Sequence, residues 1–277
     1  MGAFRITVLV ENTASRKGLH AEHGLSVWIE TGGQSYLFDT GQGPALLPNA
    51  QRLGIPLEEA NAVFLSHGHY DHTGGLLHIL NLKEHPTIFL HPAALDPKYT
   101  LGPGISAREI GMPHQVKDLV LSGADLRQVV EPTEVAEGLF LTGPIPRRAA
   151  FEDTGGAFFT DVSCRTPDGM TDDQAAFLDT RKGVYVVLGC AHAGVINTLQ
   201  YIRELTGNAP IRAVMGGMHL LAAGPERMDR TVGALRELDI ERLYPAHCTG
   251  HDAVERLYRD FPRRCFTFSS GTVLTQE

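Results

Sequence analysis

The chain has 277 residues, 43% of them hydrophobic, with 24 Lys and Arg against 32 Asp and Glu and a formal net charge of -8. That is enough apolar material for one sizeable core. The acidic balance, with no Lys/Arg cluster, argues against nucleic acid as the main partner and so against a nuclease.

The first residues lead directly into a strand-like run at 6–10 without the charged and apolar stretches of a signal peptide, and no run is long enough to cross a membrane. Further strands are expected at 26–30 and 35–38, joined by the hairpin turn Thr31-Gly32-Gly33-Gln34. Residues 44–53 have helical spacing before Gly54. An apolar strand at 62–65 then runs into Ser66-His67-Gly68-His69-Tyr70-Asp71-His72-Thr73-Gly74-Gly75. Residues 73–82 read as the helix after this loop, its paired glycines allowing close backbone approach, and 87–90 as a strand. From 91 to 116 the pattern dissolves, which suggests a lid insertion with Lys98, Tyr99 and Arg108 as exposed candidates for substrate contact. Strands are expected at 125–130, 138–141 and 184–188, and helices at 198–205 and 230–238. The strand Ala213-Val214-Met215 precedes Gly216-Gly217-Met218-His219, and a short run at 240–244 leads into Pro245-Ala246-His247-Cys248. No linker interrupts the chain, so a single domain over 1–277 is expected, although two βα-rich halves meeting near 125–140 would suit a duplicated architecture.

Three histidines and an aspartate within six positions after a core strand point to a metal site. Neutral imidazoles and a carboxylate suit zinc and also iron(II) or manganese(II). His192, in Gly189-Cys190-Ala191-His192-Ala193-Gly194, and His247 each follow a strand in a small-residue loop, where α/β proteins present reactive groups. The four cysteines are dispersed and form no Cys-x-x-Cys pair, which fits a reduced, cytoplasmic protein. Cys190 and Cys248 each lie beside a proposed ligand histidine, which leaves a metal role open, but small buried core thiols are the favoured reading.

The pattern His-x-His-x-Asp-His followed by two distant histidines resembles the metallo-β-lactamase superfamily. The segments Leu37-Phe38-Asp39-Thr40-Gly41, Gly143-Pro144-Ile145-Pro146-Arg147, Gly216-Gly217-Met218-His219-Leu220 and His247-Cys248-Thr249-Gly250 look like one branch of it, which includes the archaeal dihydropterin-ribofuranosylaminobenzene phosphate synthase. The resemblance implies an α/β fold, a four-layer αββα sandwich. It also implies two divalent metal ions, zinc before iron or manganese. His67, His69 and His192 would hold the first, and Asp71, His72 and His247 the second. Asp71 would thereby belong to the catalytic centre, and Asp39 would orient a ligand histidine through a hydrogen bond.

One departure stands out. Many binuclear members carry a bridging aspartate on the strand between the last two histidines, and here that strand runs into Gly216 and Gly217. His219 replaces the motif, with metal binding, proton donation to a leaving group and substrate binding as its open roles. Arg147 is the candidate for a phosphate or carboxylate of the substrate; Arg148, Glu152 or Asp153 could pair with it instead, and a purely structural ion pair is the alternative reading. His23 either lines the pocket or fixes the first hairpin. His20, His78, His85, His91, His114 and His251 have surface or packing contexts.

The expected activity is hydrolysis of a small phosphorylated or anionic molecule by hydroxide generated at the metals. The alternatives are a synthase or transferase releasing pyrophosphate from a pterin-type substrate, a carboxylic ester, lactone or thioester hydrolase, and a non-hydrolytic iron-binding redox protein. A homodimer is compatible with such an enzyme.

Overall fold

The structure, a computed structural model, describes residues 3–101 and 106–276. Residues 102–105, part of the expected lid, lie outside the described residues. In chain order the strands are β1 (Phe4–Val10), β2 (Ser26–Thr31), β3 (Gln34–Phe38), β4 (Ala62–Phe64), β5 (Thr87–Leu90), β6 (Tyr99–Leu101), β7 (Ala107–Glu109), β8 (Asp125–Gln128), β9 (Thr133–Ala136), β10 (Leu139–Leu141), β11 (Phe158–Phe159), β12 (Ala175–Thr180), β13 (Gly183–Leu188), β14 (Ile211–Gly217), β15 (Arg242–Ala246) and β16 (Val273–Gln276). The helices are α1 (Leu46–Leu53), α2 (Tyr70–Thr73), α3 (Leu76–Leu82), α4 (His114–Gly123), α5 (Val195–Leu205), α6 (Pro225–Glu237) and α7 (His251–Asp260). No helix among the described residues is long and apolar enough to cross a membrane.

The chain divides into two compact units. The amino-terminal unit comprises the described residues of 2–130, 157–172 and 269–277. Its seven-stranded sheet has the order β16-β1-β2-β3-β4-β5-β8, antiparallel from β16 to β3 and parallel from β3 to β8. Leu46 and Ala50 of α1, Leu76 and Ile79 of α3, and Val116 and Val120 of α4 pack with Leu9, Trp28 and Val63 into one core. Their three- and four-residue spacing puts one apolar stripe per helix toward the sheet.

The carboxy-terminal unit comprises Glu131–Gly156 and Asp173–Phe268, with the sheet order β15-β14-β13-β12-β10-β9. Strand β13 is buried at every position, the continuous apolar pattern of a strand covered on both faces. Its neighbours β14 and then β15 run parallel to it. Val195, Leu199 and Ile202 of α5, Met228, Val232 and Leu235 of α6, and Leu257 of α7 close over Val184, Val186 and Val214.

Two expected elements differ for identifiable reasons. The helix expected over 73–82 is broken into α2 and α3 at Gly74-Gly75, where the Gln42 and Thr40 carbonyl oxygens occupy the places that Cβ atoms would take. Helix α5 starts at Val195 rather than near 198 because the Glu152 carboxylate accepts hydrogen bonds from the Ile196 and Asn197 amides at 2.9 and 2.8 Å. That cap comes from 44 residues away, so no local signal announces it.

The described residues of the 91–116 stretch, 91–101 and 106–116, are also more regular than their composition suggests. Pro92–Leu95 forms a 3-10 turn, β6 and β7 pair with each other, and α4 begins at His114. Lys98 is a correction: it is buried rather than an exposed loop residue. Its Nζ lies 3.0 Å from both Asp168 Oδ2 and Asp172 Oδ1. Burial alone would lower the Lys98 pKa, and the two carboxylates more than reverse this and raise it. Asp172 Oδ2 also accepts the Gly68 amide at 2.8 Å, which ties the histidine loop to this ion-pair cluster. Replacing Asp172 by Ala leaves a buried ammonium with one partner and a buried amide without its acceptor. The Asp172→Ala protein should lose about 3–5 kcal/mol of stability in a urea titration.

Candidate metal centre

The proposed ligands lie at the ends of adjacent parallel strands. In the amino-terminal unit, β3 and β4 pair with Phe38 opposite Phe64, so Asp39 emerges beside the start of the histidine loop. Its amide donates to Phe64 O at 2.8 Å. The fully buried Asp39 carboxylate accepts from the Ser66 amide at 2.8 Å and from Ser66 Oγ at 2.7 Å. It lies 2.7 Å from His72 Nδ1, which therefore carries a proton and donates it, so that Nε2 carries the lone pair. Ser66 Oγ, already a donor to Asp39, accepts from His67 Nδ1 at 2.9 Å. His67 thus also presents Nε2.

His67 Nε2 faces His69 Nδ1 at 3.0 Å. Two nitrogens each ~2.0–2.1 Å from one tetrahedral ion stand roughly 3.3 Å apart. The pair needs only a slight spread to share a divalent cation, so these residues fit a metal ion. His72 Nε2 lies 3.8 Å from Asp71 Oδ2, which also pairs with His23 Nε2 at 3.1 Å. His23 is exposed and contacts the carboxylate of the loop.

The carboxy-terminal unit gathers the remaining candidates. The parallel registers Leu188 opposite Gly216 and Gly217 opposite Ala246 align the ends of β13, β14 and β15. Cys190 and His192, His219, and His247 and Cys248 follow those three ends. His192 Nδ1 donates to Thr154 O at 2.8 Å, leaving Nε2 as its ligand atom. One donor atom each from Cys190, His192 and His219 lies within 4.8 Å of the others, and the same holds for Cys190, His247 and Cys248. Burial alone would raise the Cys248 thiol, but its contacts with Cys190 and His219 hold it well below the ordinary thiol range. Burial would likewise lower His219, and the adjacent Cys248 raises it.

The backbone here is as unusual as the side chains. Asp39, Ala191, His219 and His247 have φ of 56°, 53°, 45° and 50°, in the left-handed region that non-glycine residues seldom adopt, and such positions concentrate where a side chain must be aimed.

Arg147 and Arg148 each have a partner in the unit. Arg147 is exposed and its Nη1 donates to the His192 carbonyl at 2.8 Å. Arg148 pairs with Glu204. Asp153 pairs with Arg227 of α6, a buried residue whose Nε and Nη2 have no hydrogen-bond partner among the described residues. Sequence reading passed over Arg227, because nothing local marks a helical arginine as buried. Of the histidines assigned to packing, His78 Nε2 bonds Gly43 O and His91 Nδ1 accepts the Ala93 amide. His114 pairs with Glu109 at the surface.

A model of the metallo-beta-lactamase superfamily matches residues 21–247. The chain belongs to that superfamily. It is 33% identical over 253 residues to an uncharacterised protein of Methanocaldococcus jannaschii, covering 91% of this chain and 93% of that one. It is 29% identical over 270 residues to the 7,8-dihydropterin-6-methyl-4-(β-D-ribofuranosyl)-aminobenzene-5'-phosphate synthase of the same organism, covering 92% and 90%. Among solved structures, a metal-dependent hydrolase of the beta-lactamase superfamily superposes with a TM-score of 0.85 at 35% identity, over 98% of each chain. The fold is therefore the α/β metallo-β-lactamase fold, and members of this superfamily bind divalent metal ions.

Asp39 makes no direct use of its charge beyond Ser66 and His72, so its loss should act through them. Asp39→Ala is expected to weaken zinc binding by about 10- to 100-fold in a competitive chelator titration.

Proposed function

We propose that this chain is a metal-dependent hydrolase of small phosphorylated or otherwise anionic substrates. The observation that carries the reading is the 35% identity to a metal-dependent hydrolase over 98% of both chains. His67, His69 and His192 would hold one divalent ion and Asp71, His72 and His247 a second, with zinc as the expected metal. When bound, such ions polarise a substrate oxygen and acidify water at neutral pH.

The protein's own contribution is orientation and proton handling. Asp39 and Ser66 fix the ring tautomers of His72 and His67 so that Nε2 of each would be the ligand atom. Thr154 does the same for His192. His219, beside the Cys248 thiol, is the proposed donor of a proton to the departing group or of a hydrogen bond to a substrate oxygen. Arg147 is the proposed contact for the anionic group, where a planar guanidinium offers paired donors.

A second reading is supported by the 29% identity to the archaeal synthase over 92% of this chain. The same residues would then serve transfer, with pyrophosphate leaving a pterin-type substrate and an amine-bearing aromatic group attacking in place of water. Assaying one zinc-loaded sample on a dihydropterin diphosphate, with and without the aromatic ribose phosphate, separates the two. Pyrophosphate release that requires the second substrate establishes transfer, and release of phosphate from simple phosphoesters establishes hydrolysis.

Arg147 gives a sharper test of substrate charge. Phosphoryl chemistry spreads negative charge over several oxygens, whereas acyl chemistry builds it on one. Arg147→Ala should therefore lower kcat/KM for a phosphoester at least tenfold more than for a carboxylic ester. Equal losses on both would assign Arg147 to bracing the His192 loop.

A further inference from the structure

The end of β14, where many binuclear superfamily members carry an aspartate, is occupied from another direction. A Cβ built on Gly217 would lie 2.5 Å from Cys248 Sγ and 2.5 Å from the Gly189 carbonyl oxygen. No side chain fits there while Cys248 keeps its position. The place next to the missing carboxylate is filled by a sulfur.

That sulfur is not in an ordinary apolar packing site. Cys248 Sγ, Cys190 Sγ and a ring nitrogen of His247 all lie within 4.8 Å of one another. Cys190 Sγ also lies within 4.8 Å of a ring nitrogen from each of His192 and His219. Cys190, His192, His247 and Cys248 are buried, and both cysteines are free thiols. Cys248 Sγ lies 3.6 Å from the Cys190 carbonyl oxygen and also contacts His219. Core thiols that serve packing alone are surrounded by hydrocarbon, whereas these two sit among three imidazoles at neighbouring strand ends.

We propose that Cys190 and Cys248 are metal ligands, acting with His247 on a thiophilic divalent ion such as zinc, and that the Cys248 thiolate supplies the negative charge that a carboxylate supplies in other members. The proposal rests on the metal-enzyme reading and adds to its ligand set. Zinc holds sulfur at ~2.3 Å and imidazole nitrogen at ~2.0–2.1 Å, so two donors on one tetrahedral ion stand roughly 3.3–3.8 Å apart. Each thiol that binds loses its proton to the buffer. Sulfur ligands also favour zinc over manganese, the reverse of what an added carboxylate would do.

The test is cobalt(II) substitution of the full chain after chelator treatment under reducing conditions. The wild-type protein should show an intense near-ultraviolet thiolate-to-cobalt charge-transfer band. That band should disappear in the Cys190→Ser, Cys248→Ser double variant and persist in Cys164→Ser. Circular dichroism reports whether the double variant is folded. If it is not, alkylation of the wild type followed by mass spectrometry takes its place, and zinc should protect Cys190 and Cys248 at least tenfold.

Cobalt bound with ligand-field bands but no thiolate band would overturn the thiolate proposal and leave the metal-enzyme reading standing. Unprotected alkylation of both cysteines in zinc-loaded protein would do the same. Failure to bind cobalt or zinc at all would bring down both.

Discussion

A single dry carboxylate sets the terms for the histidine loop. Asp39 sits at the end of β3 with no exposure to solvent, and an ionised carboxylate in that position is several kcal/mol unfavourable unless its oxygens are bonded. The Ser66 amide, the Ser66 hydroxyl and His72 supply those bonds. The same bonds dictate which nitrogen of His72 carries the proton and, through Ser66, which nitrogen of His67 does. Protonation states in the loop are thus inherited from one buried charge. The arrangement depends in turn on the parallel pairing of β3 with β4, because a one-residue slip would turn the side chains after Phe64 to the other face.

The strands and the ligand loops were legible because their signals are local. Apolar runs of four to six residues, followed by glycine and histidine, mark both the strand and the group it presents. The hairpin between β2 and β3 follows from Thr31-Gly32-Gly33-Gln34 for the same reason. What escaped was nonlocal. Glu152 starts α5 from another loop, Lys98 is buried by partners 70 and 74 residues away, and Arg227 is concealed by the packing of α6. Positive φ at Asp39, Ala191, His219 and His247 is equally invisible, since none of these residues announces a left-handed backbone as glycine does. The cysteines are buried, as their sequence context suggests. Their positions beside His192 and His247 were plain, and only the strand register shows that three strand ends bring both sulfurs to one place.

Charge in the carboxy-terminal unit is managed by short-range pairing rather than by a broad field. Glu152 is committed to helix amides, Arg148 to Glu204, and Asp153 to Arg227. The flanking carboxylates and guanidiniums thereby hold the loops that carry the imidazoles and thiols. The segment carrying Glu152, Asp153 and Thr154 serves both α5 and the His192 ring within three residues, which makes it a structural hub despite its polar, glycine-rich composition.

The amino-terminal unit is assembled from three separate stretches of chain, and this separates the order of synthesis from the order of assembly. When a ribosome has released the first 130 residues, all four donors of the histidine loop have emerged. The carboxylates that anchor Lys98 and Gly68 have not, and neither has β16, which covers the free edge of β1. Until β16 appears, β1 is an open sheet edge available to any other strand. A form truncated before β16 would therefore display the histidine loop beside an uncovered strand edge, a combination that favours pairing between chains.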